Sequence, residues 1–238
     1  MNEISVVIPI LNESENIKLL IPEISKNIKL LKIKKYEIIL VDDNSHDQIL
    51  NVVKKLRKKF KFLKLLIRKK KDKDLSKSCI LGFKNSKYEN ILVMDGDFQH
   101  DPKYIIKLVK IFLRYNHDVV VGARNLASIK KTKLSIFRLG SSIIITNFMN
   151  IILGKKTSDP LSGFFLFKKS IYIQNKNNLF SSGYKILADL IYSSKQDLYI
   201  KDISIKFGHR LKGESKINIK ILFILLFFIF QKLKNKIF

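Results

Sequence analysis

Asn90-Ile91-Leu92-Val93-Met94-Asp95-Gly96-Asp97-Phe98-Gln99-His100-Asp101-Pro102 is the stretch on which the fold turns. Its apolar run is short, rich in branched residues and bounded by polar ones, so Asn90–Met94 reads as a buried strand. Two carboxylates follow at once, Asp95 and Asp97, one residue apart. In an extended turn both can face one ligand. Asp101-Pro102 then sets an N-cap before a proline at the first helical position and opens a helix over Lys103–Arg114. Strand, acidic turn and helix are consecutive parts of a β-α-β unit, and such units build parallel sheets.

The same grammar repeats outward from this stretch. Ile4–Ile8, Glu37–Val41, Phe62–Ile67 and Val119–Val121 read as further buried strands, with helical patterns between them. Asn12 has Glu15 three residues on, a capping-box spacing that predicts the start of the first helix. The expected fold is α/β: a mostly parallel central sheet flanked by helices. In such sheets ligands bind at the carboxyl ends of the strands. Three polar clusters fall there: Asn12-Glu13, Asp42-Asp43-Asn44-Ser45 and Asp95 to His100. One such cluster is an ordinary turn. Three at neighbouring strand ends make a site. Two hard carboxylate oxygens plus substrate phosphates are what Mg²⁺ or Mn²⁺ takes, which marks Asp95 and Asp97 as candidate ligands.

The second half is more apolar. Leu134–Leu153 is a strongly apolar, helix-like stretch, Ser162–Phe167 reads as another strand, Phe207–Lys216 as a polar glycine-containing loop, and Ile217–Phe238 as an apolar helix with a basic tail. The expected division is a catalytic domain over 1–216 and a membrane-interface helix over 217–238. The longest apolar run there, Ile221–Phe230, is too short to cross a bilayer. Met1-Asn2-Glu3 lacks the basic start of a signal peptide, so secretion is not expected.

Of the 238 residues, 46% are hydrophobic, which excludes wholesale disorder, and Cys79 is the single cysteine, which excludes an intrachain disulfide or a thiolate cluster. Lys and Arg number 46 against 20 Asp and Glu, a formal charge of +26 that points to an anionic partner. A lysine-rich proteome produces the same excess. Lys54–Lys73 holds twelve basic residues and one acid, yet it crosses a helix, a strand and a loop, where lysines form a solvated face. A nucleic-acid partner is therefore not expected. His46, His100, His117 and His209 have no triad context; His100 reads as a support behind the acidic pair, the others as surface or loop residues.

Taken together, Val6-Val7-Ile8-Pro9 with Asn12-Glu13, Val41-Asp42-Asp43-Asn44-Ser45, Asp95 to Pro102 and Val121-Gly122-Ala123-Arg124 resemble family 2 glycosyltransferases of the GT-A (nucleotide-diphospho-sugar transferase) fold. Ser158 to Phe165, Gly183-Tyr184-Lys185-Ile186-Leu187 and Phe207 to Lys216 narrow the resemblance to the dolichol-phosphate mannosyltransferase, or polyprenyl-phosphate glycosyltransferase, branch. It covers roughly residues 4–220.

The resemblance implies roles. Pro9, Leu11 and Glu13 would line the nucleotide pocket, with Val41 and Asp43 at the base and ribose. Asp95, Asp97 and Gln99 would hold Mg²⁺ or Mn²⁺ and the donor diphosphate, with Gly96 beside them. Arg124, Arg210 and Lys216 would grip phosphates, Lys185 would lie at the donor or acceptor site, and Asp97, Arg210 and Lys216 would be catalytic. The implied reaction passes a hexose to a polyprenyl (dolichyl or undecaprenyl) phosphate with inversion, mannose from GDP-mannose first and a sugar from a UDP-sugar second. The implied partners are the nucleotide sugar, the lipid phosphate and an anionic membrane surface, with peripheral attachment at the cytoplasmic leaflet through Ile217–Phe230 and Lys232, Lys234 and Lys236. This chain departs from the branch at Leu11, where Tyr is common, at Gly96 and Phe98, where Ala and Leu are usual, and at Asp189, where Glu is common. Asp74-Leu75-Ser76 stands where the branch has Gly-Leu-Ser.

Overall fold

The computed structural model describes residues 3–70, 72–124, 146–183, 185–208 and 227–233. Seven strands make one sheet: β1 (Glu3–Ile10), β2 (Lys35–Asp42), β3 (Leu63–Ile67), β4 (Asn90–Val93), β5 (Val119–Arg124), β6 (Phe165–Lys168) and β7 (Ile200–Ile205). Their order is β3-β2-β1-β4-β6-β5-β7. Every pairing is parallel except those of β6, which runs against both β4 and β5. The helices are α1 (Ser14–Leu30), α2 (Ile49–Lys59), α3 (Leu75–Asn85), α4 (Tyr104–Tyr115), α5 (residues 146–153), α6 (Lys169–Asn175) and α7 (Ile186–Ser193).

Alternation along the strands builds two cores. Val6, Ile8, Ile38, Leu40, Leu92 and Met94 point to one face and pack with α1, α2 and α4. Val7, Ile39, Val41, Ile91 and Val93 point to the other and pack with α3, α6 and α7. Both faces are covered, which is why these strands read as continuous apolar runs. On α1, Ile17, Leu20, Ile21, Ile24 and Ile28 recur every three or four residues and are all buried. Gly82 on α3 is needed for close approach: a Cβ there would strike Val7 on β1.

The expected elements are present with shifted ends. Three of the five first-half strands contain the expected ones and reach further, β1, β2 and β5 by three residues each; β3 and β4 each stop one residue short at one end. The strand expected at Ser162 starts at Phe165, because Ser162 turns its hydroxyl to the Gly122 carbonyl at 2.7 Å. Asn12 does not cap α1. It has a left-handed backbone, with φ of 58°, and its amide oxygen accepts from the His46 N–H at 2.9 Å; Glu13 occupies the cap position instead. His117 is buried between the rings of Tyr115 and Tyr199 rather than at the surface.

A third, smaller core joins α5 to α7 and to the helical stretch 227–233, through Met149, Leu153, Ala188, Phe228 and Ile229. Much of the apolar stretch Leu134–Leu153, and of the helix expected over Ile217–Phe238, lies outside the described residues.

Candidate active site

The strand order puts the carboxyl ends of β2, β1 and β4 side by side, so the three polar clusters form one edge. Pro9 on β1 is in register with Val41 on β2, and Ile10 with Asp42. Two stitches hold the edge together: the Asp43 N–H donates to the Ile10 carbonyl at 2.9 Å, and the Asn12 N–H to the Ser45 hydroxyl at 2.7 Å. Burial raises the pKa of Asp42, opposed by the Ser45 hydroxyl and N–H that it accepts. Leu11 is half-buried at the turn, and Glu13 is buried and accepts from the Asn16 amide at 2.6 Å.

Asp43 is buried and fixed from two sides. Arg68 Nε donates to Oδ1 at 2.7 Å, and the Asp74 N–H donates to Oδ2 at 2.6 Å. Lys73 Nζ reaches the carbonyls of Asp43 and Asn44 at 2.7 and 2.6 Å. The Asp74 carboxylate caps α3 through the Lys77 N–H at 3.0 Å, and its other oxygen accepts from Ser182 Oγ at 2.7 Å and Gly183 N–H at 2.8 Å. Where the branch has glycine, this chain has a carboxylate that sews the β3–α3 loop to residues 182–183.

The β4 end is the candidate metal corner. Asp95 keeps 31% of its side chain exposed, enough to meet a ligand, while its Oδ2 lies 3.5 Å from His100 Nε2. Gly163 lies against that carboxylate with no room for a Cβ. Asp97 is buried, and its Oδ1 accepts from the Gln99 N–H at 3.0 Å. Gly96 packs over Ile10. His100 stands behind the pair, its ring 5.3 Å from that of Phe164 and 5.1 Å from that of Phe207. Gly208 N–H donates to the Gln99 carbonyl at 2.8 Å, and His100 bridges Phe207. Among the described residues no three or more His, Cys, Asp or Glu side chains are arranged to hold a metal ion by themselves. A corner with two carboxylates and an amide nevertheless suits a hard divalent ion that also takes substrate phosphate oxygens, so the donor set fits.

Arg124, at the end of β5, is engaged by Asp159: Nε donates to Oδ2 at 2.7 Å and a terminal nitrogen to Oδ1 at 2.7 Å. Burial alone would lower its pKa; Asp159 outweighs this and raises it. The guanidinium also lies 5.7 Å from the Phe207 ring centroid, at the foot of the loop that follows β7. Arg210, Lys216 and His209 lie outside the described residues. Lys185, at the start of α7, is buried against the rings of Phe180 and Phe228.

Lys232 is a correction. It is 4% exposed and pairs with the buried Asp189 at 3.0 Å, so it does not offer its charge to lipid headgroups. Four residues that matter to the edge were not singled out from the sequence: Gly163, Asp159, Asp74 as a staple, and Phe207. Gly163 and Asp159 sit in the Ser158–Phe165 motif, so the pattern was visible, but their contacts depend on β6 lying beside β4.

A mostly parallel sheet with acids gathered at three adjacent carboxyl ends defines an α/β protein that binds its ligand along that edge. Among solved structures, glucosyl-3-phosphoglycerate synthase of Mycobacterium tuberculosis matches with a TM-score of 0.68 at 16% identity, over 98% of this chain and 79% of that one; its crystals held Mn²⁺, UDP-glucose and glycerol 3-phosphate. Residues 5–175 match glycosyl transferase family 2, and the chain belongs to that family. A dolichol-phosphate mannosyltransferase of Pyrococcus furiosus is 31% identical over 98% of this chain, and one of Saccharomyces cerevisiae 30% identical over 92% of it. The chain spans 64% of the length of the first and 83% of the second.

Proposed function

We propose that this chain transfers a hexose, mannose from GDP-mannose, to the phosphate of a polyprenyl lipid with inversion at the anomeric carbon. The observation that carries the reading is the single edge on which Asp43, Asp95, Asp97 and Arg124 are gathered, in a chain alike over nearly its whole length to enzymes named for this reaction.

The residues divide the work. Pro9, Leu11, Glu13 and Val41 border the nucleotide, and Asp43, held by Arg68 and Asp74, offers a carboxylate of fixed direction to the ribose or base. Asp95, Asp97 and Gln99 would hold a divalent ion, which when bound neutralises charge on the departing diphosphate. Arg124 presents a cation already oriented by Asp159, and Arg210 and Lys216 add phosphate contacts. An oxygen of the lipid phosphate attacks the anomeric carbon as the bond to the diphosphate oxygen breaks. That phosphate is ionised near neutral pH, so no strong base is required. Positioning and charge compensation carry the rate.

The acceptor remains in a bilayer, so the site works at a membrane face, the cytoplasmic one in this reading. No helix among the described residues is long and apolar enough to cross a membrane. The reading is supported by Ile151, Phe227 and Phe230, which are 82%, 63% and 68% exposed on the two helical stretches of the third core. Such side chains suit the headgroup boundary.

The test is product analysis with polyprenyl phosphate, Mn²⁺ or Mg²⁺ and a panel of nucleotide sugars. Lipid-linked mannose from GDP-mannose alone is the expected result. Turnover of a UDP-sugar instead would replace the donor, and no transfer in any combination would overturn the reading.

A further inference from the structure

The segment that carries Asp159 to Arg124 runs from Gly154 to Phe164, between α5 and β6, with no helix or strand of its own. Such a loop keeps a side chain in one place where other groups fix its backbone, because ordering each residue costs conformational entropy. At its start the Tyr192 hydroxyl on α7 donates to the Gly154 carbonyl at 3.0 Å. At its end Gly122 N–H donates to the Phe164 carbonyl at 2.8 Å. In between, the loop is tied to the carboxylate of Asp202 on β7. Asp202 Oδ1 accepts from the Thr157 hydroxyl, and Oδ2 accepts from the Ser158 N–H at 2.7 Å. Thr157 Oγ1 in turn accepts from the Asp159 N–H at 3.3 Å. The donors therefore run one way, from Asp159 through Thr157 to Asp202. Thr157 and Asp159 are both buried.

The strand register shows what this tie serves. β7 is the parallel neighbour of β5, with Asp202 level with Val121 and Ile205 level with Arg124. Asp202 thus lies three residues, about 10 Å along the strand, below the level of Arg124. It acts on that level through the loop. There Asp159 Oδ2 accepts from the Arg124 N–H at 3.1 Å and from Nε at 2.7 Å, and Oδ1 accepts from a terminal nitrogen at 2.7 Å. The ring beside the guanidinium belongs to Phe207, two residues beyond the end of β7. One edge strand therefore sets both walls around Arg124: Asp159 through Asp202, and Phe207 directly.

We propose that Asp202 and Thr157 are positioning residues for Arg124. Asp202 fixes Thr157 and Ser158, these fix Asp159, and Asp159 turns the guanidinium toward a phosphate of the bound substrates. This rests on the glycosyl-transfer reading above. The value of a guanidinium fork lies in its direction, since it meets phosphate oxygens two at a time. Without the tie to β7, Asp159 and Arg124 would swing together and keep their mutual bond while losing their aim.

The test uses the full chain with Mn²⁺, a nucleotide sugar that supports turnover, and farnesyl phosphate as a soluble acceptor. Arg124→Lys keeps the charge and loses the fork, and should lower kcat/KM for one of the two substrates about ten- to a hundredfold. Asp202→Ala should lower kcat/KM for that same substrate about tenfold. Added to Arg124→Lys it should cost less than about twofold more, because a fork already lost cannot be misaimed. Thr157→Val, which removes the hydroxyl, should repeat the Asp202→Ala loss, and Thr157→Ser, which keeps it, should restore the rate. If Asp202→Ala does not fold, the two Thr157 variants carry the same comparison. Losses that multiply in the double variant show a tie that serves packing alone and overturn the proposal. So does a wild-type rate in Thr157→Val, or a loss in Asp202→Ala that falls on the other substrate. If Arg124→Lys changes neither kcat/KM, the proposal falls and the glycosyl-transfer reading stands. If no nucleotide sugar supports turnover, the glycosyl-transfer reading falls instead. Calorimetric binding of GDP with Mn²⁺ and of farnesyl phosphate then decides the positioning role: Asp202→Ala must weaken whichever Arg124→Lys weakens, and unchanged affinities in either variant overturn it.

Discussion

Gly163→Ala tests the metal corner without touching a charged group. A Cβ built at Gly163 lies 2.5 Å from Asp95 Oδ1 and closer still to Cγ and Oδ2, whereas real Cβ contacts under 3.0 Å are essentially absent. The carboxylate must retreat by about 1 Å. It is the end of a short side chain, partly open to solvent, so it can rotate away while the backbone stays. The stability cost should therefore be at the low end of overpacking, about 1 kcal/mol. The functional cost is larger, because a misplacement of about 1 Å at a catalytic group costs roughly a hundredfold. Initial rates across a Mn²⁺ titration should show a kcat lowered about a hundredfold and a weaker apparent metal affinity, with a melting temperature within a few degrees of wild type. A wild-type rate at wild-type metal dependence would mean that Asp95 does not serve the ion. A large fall in melting temperature with normal kcat would mean that Gly163 serves packing only.

Asp97→Asn keeps the shape and the Gln99 N–H bond but loses the charge, so transfer should be nearly abolished with the far-UV spectrum intact; full wild-type activity in excess chelator would contradict it. Asp159→Ala removes the carboxylate that forks the half-buried Arg124 guanidinium and should lower stability by about 1.5–3 kcal/mol, the range for hydrogen bonds to charged groups, read by urea unfolding. Replacing Phe227 and Phe230 by Ser should weaken flotation with anionic liposomes about tenfold or more at unchanged melting temperature, since both are exposed. A chain ending after Lys216 should instead melt lower, because it loses Phe228 and Ile229 from the third core and leaves Asp189 without Lys232.

Most of the sheet was legible because β1, β2 and β4 are buried on both faces, and such strands announce themselves as short runs of Val, Ile and Leu. The strand-end acids were legible for the same reason: they begin where the apolar run stops. Helix starts were less so. Asn12 has the spacing of a capping box, but the loop after β2 offers its amide a better partner in the His46 N–H, a choice made 34 residues away. Lys232 looked like part of a basic tail, since nothing near it in sequence foretells the buried Asp189. Arg124 is expected at the site only from the resemblance, and its bond to Asp159 required β5 and β6 to be neighbours. Contacts across the sheet are set by topology, and local pattern carries little of that.

The reversed strand has a consequence for how such a protein can change over time. Phe165, the first residue of β6, pairs with Val93 and Val121, next to the carboxyl ends of β4 and β5. Since β5 ends at Arg124 on that same edge, residues 125–164 both depart from and return to the rim of the active site. A wholly parallel arrangement would have returned them to the far side. Insertions, deletions and drift in this segment can therefore change the surroundings of the candidate site while every strand keeps its register.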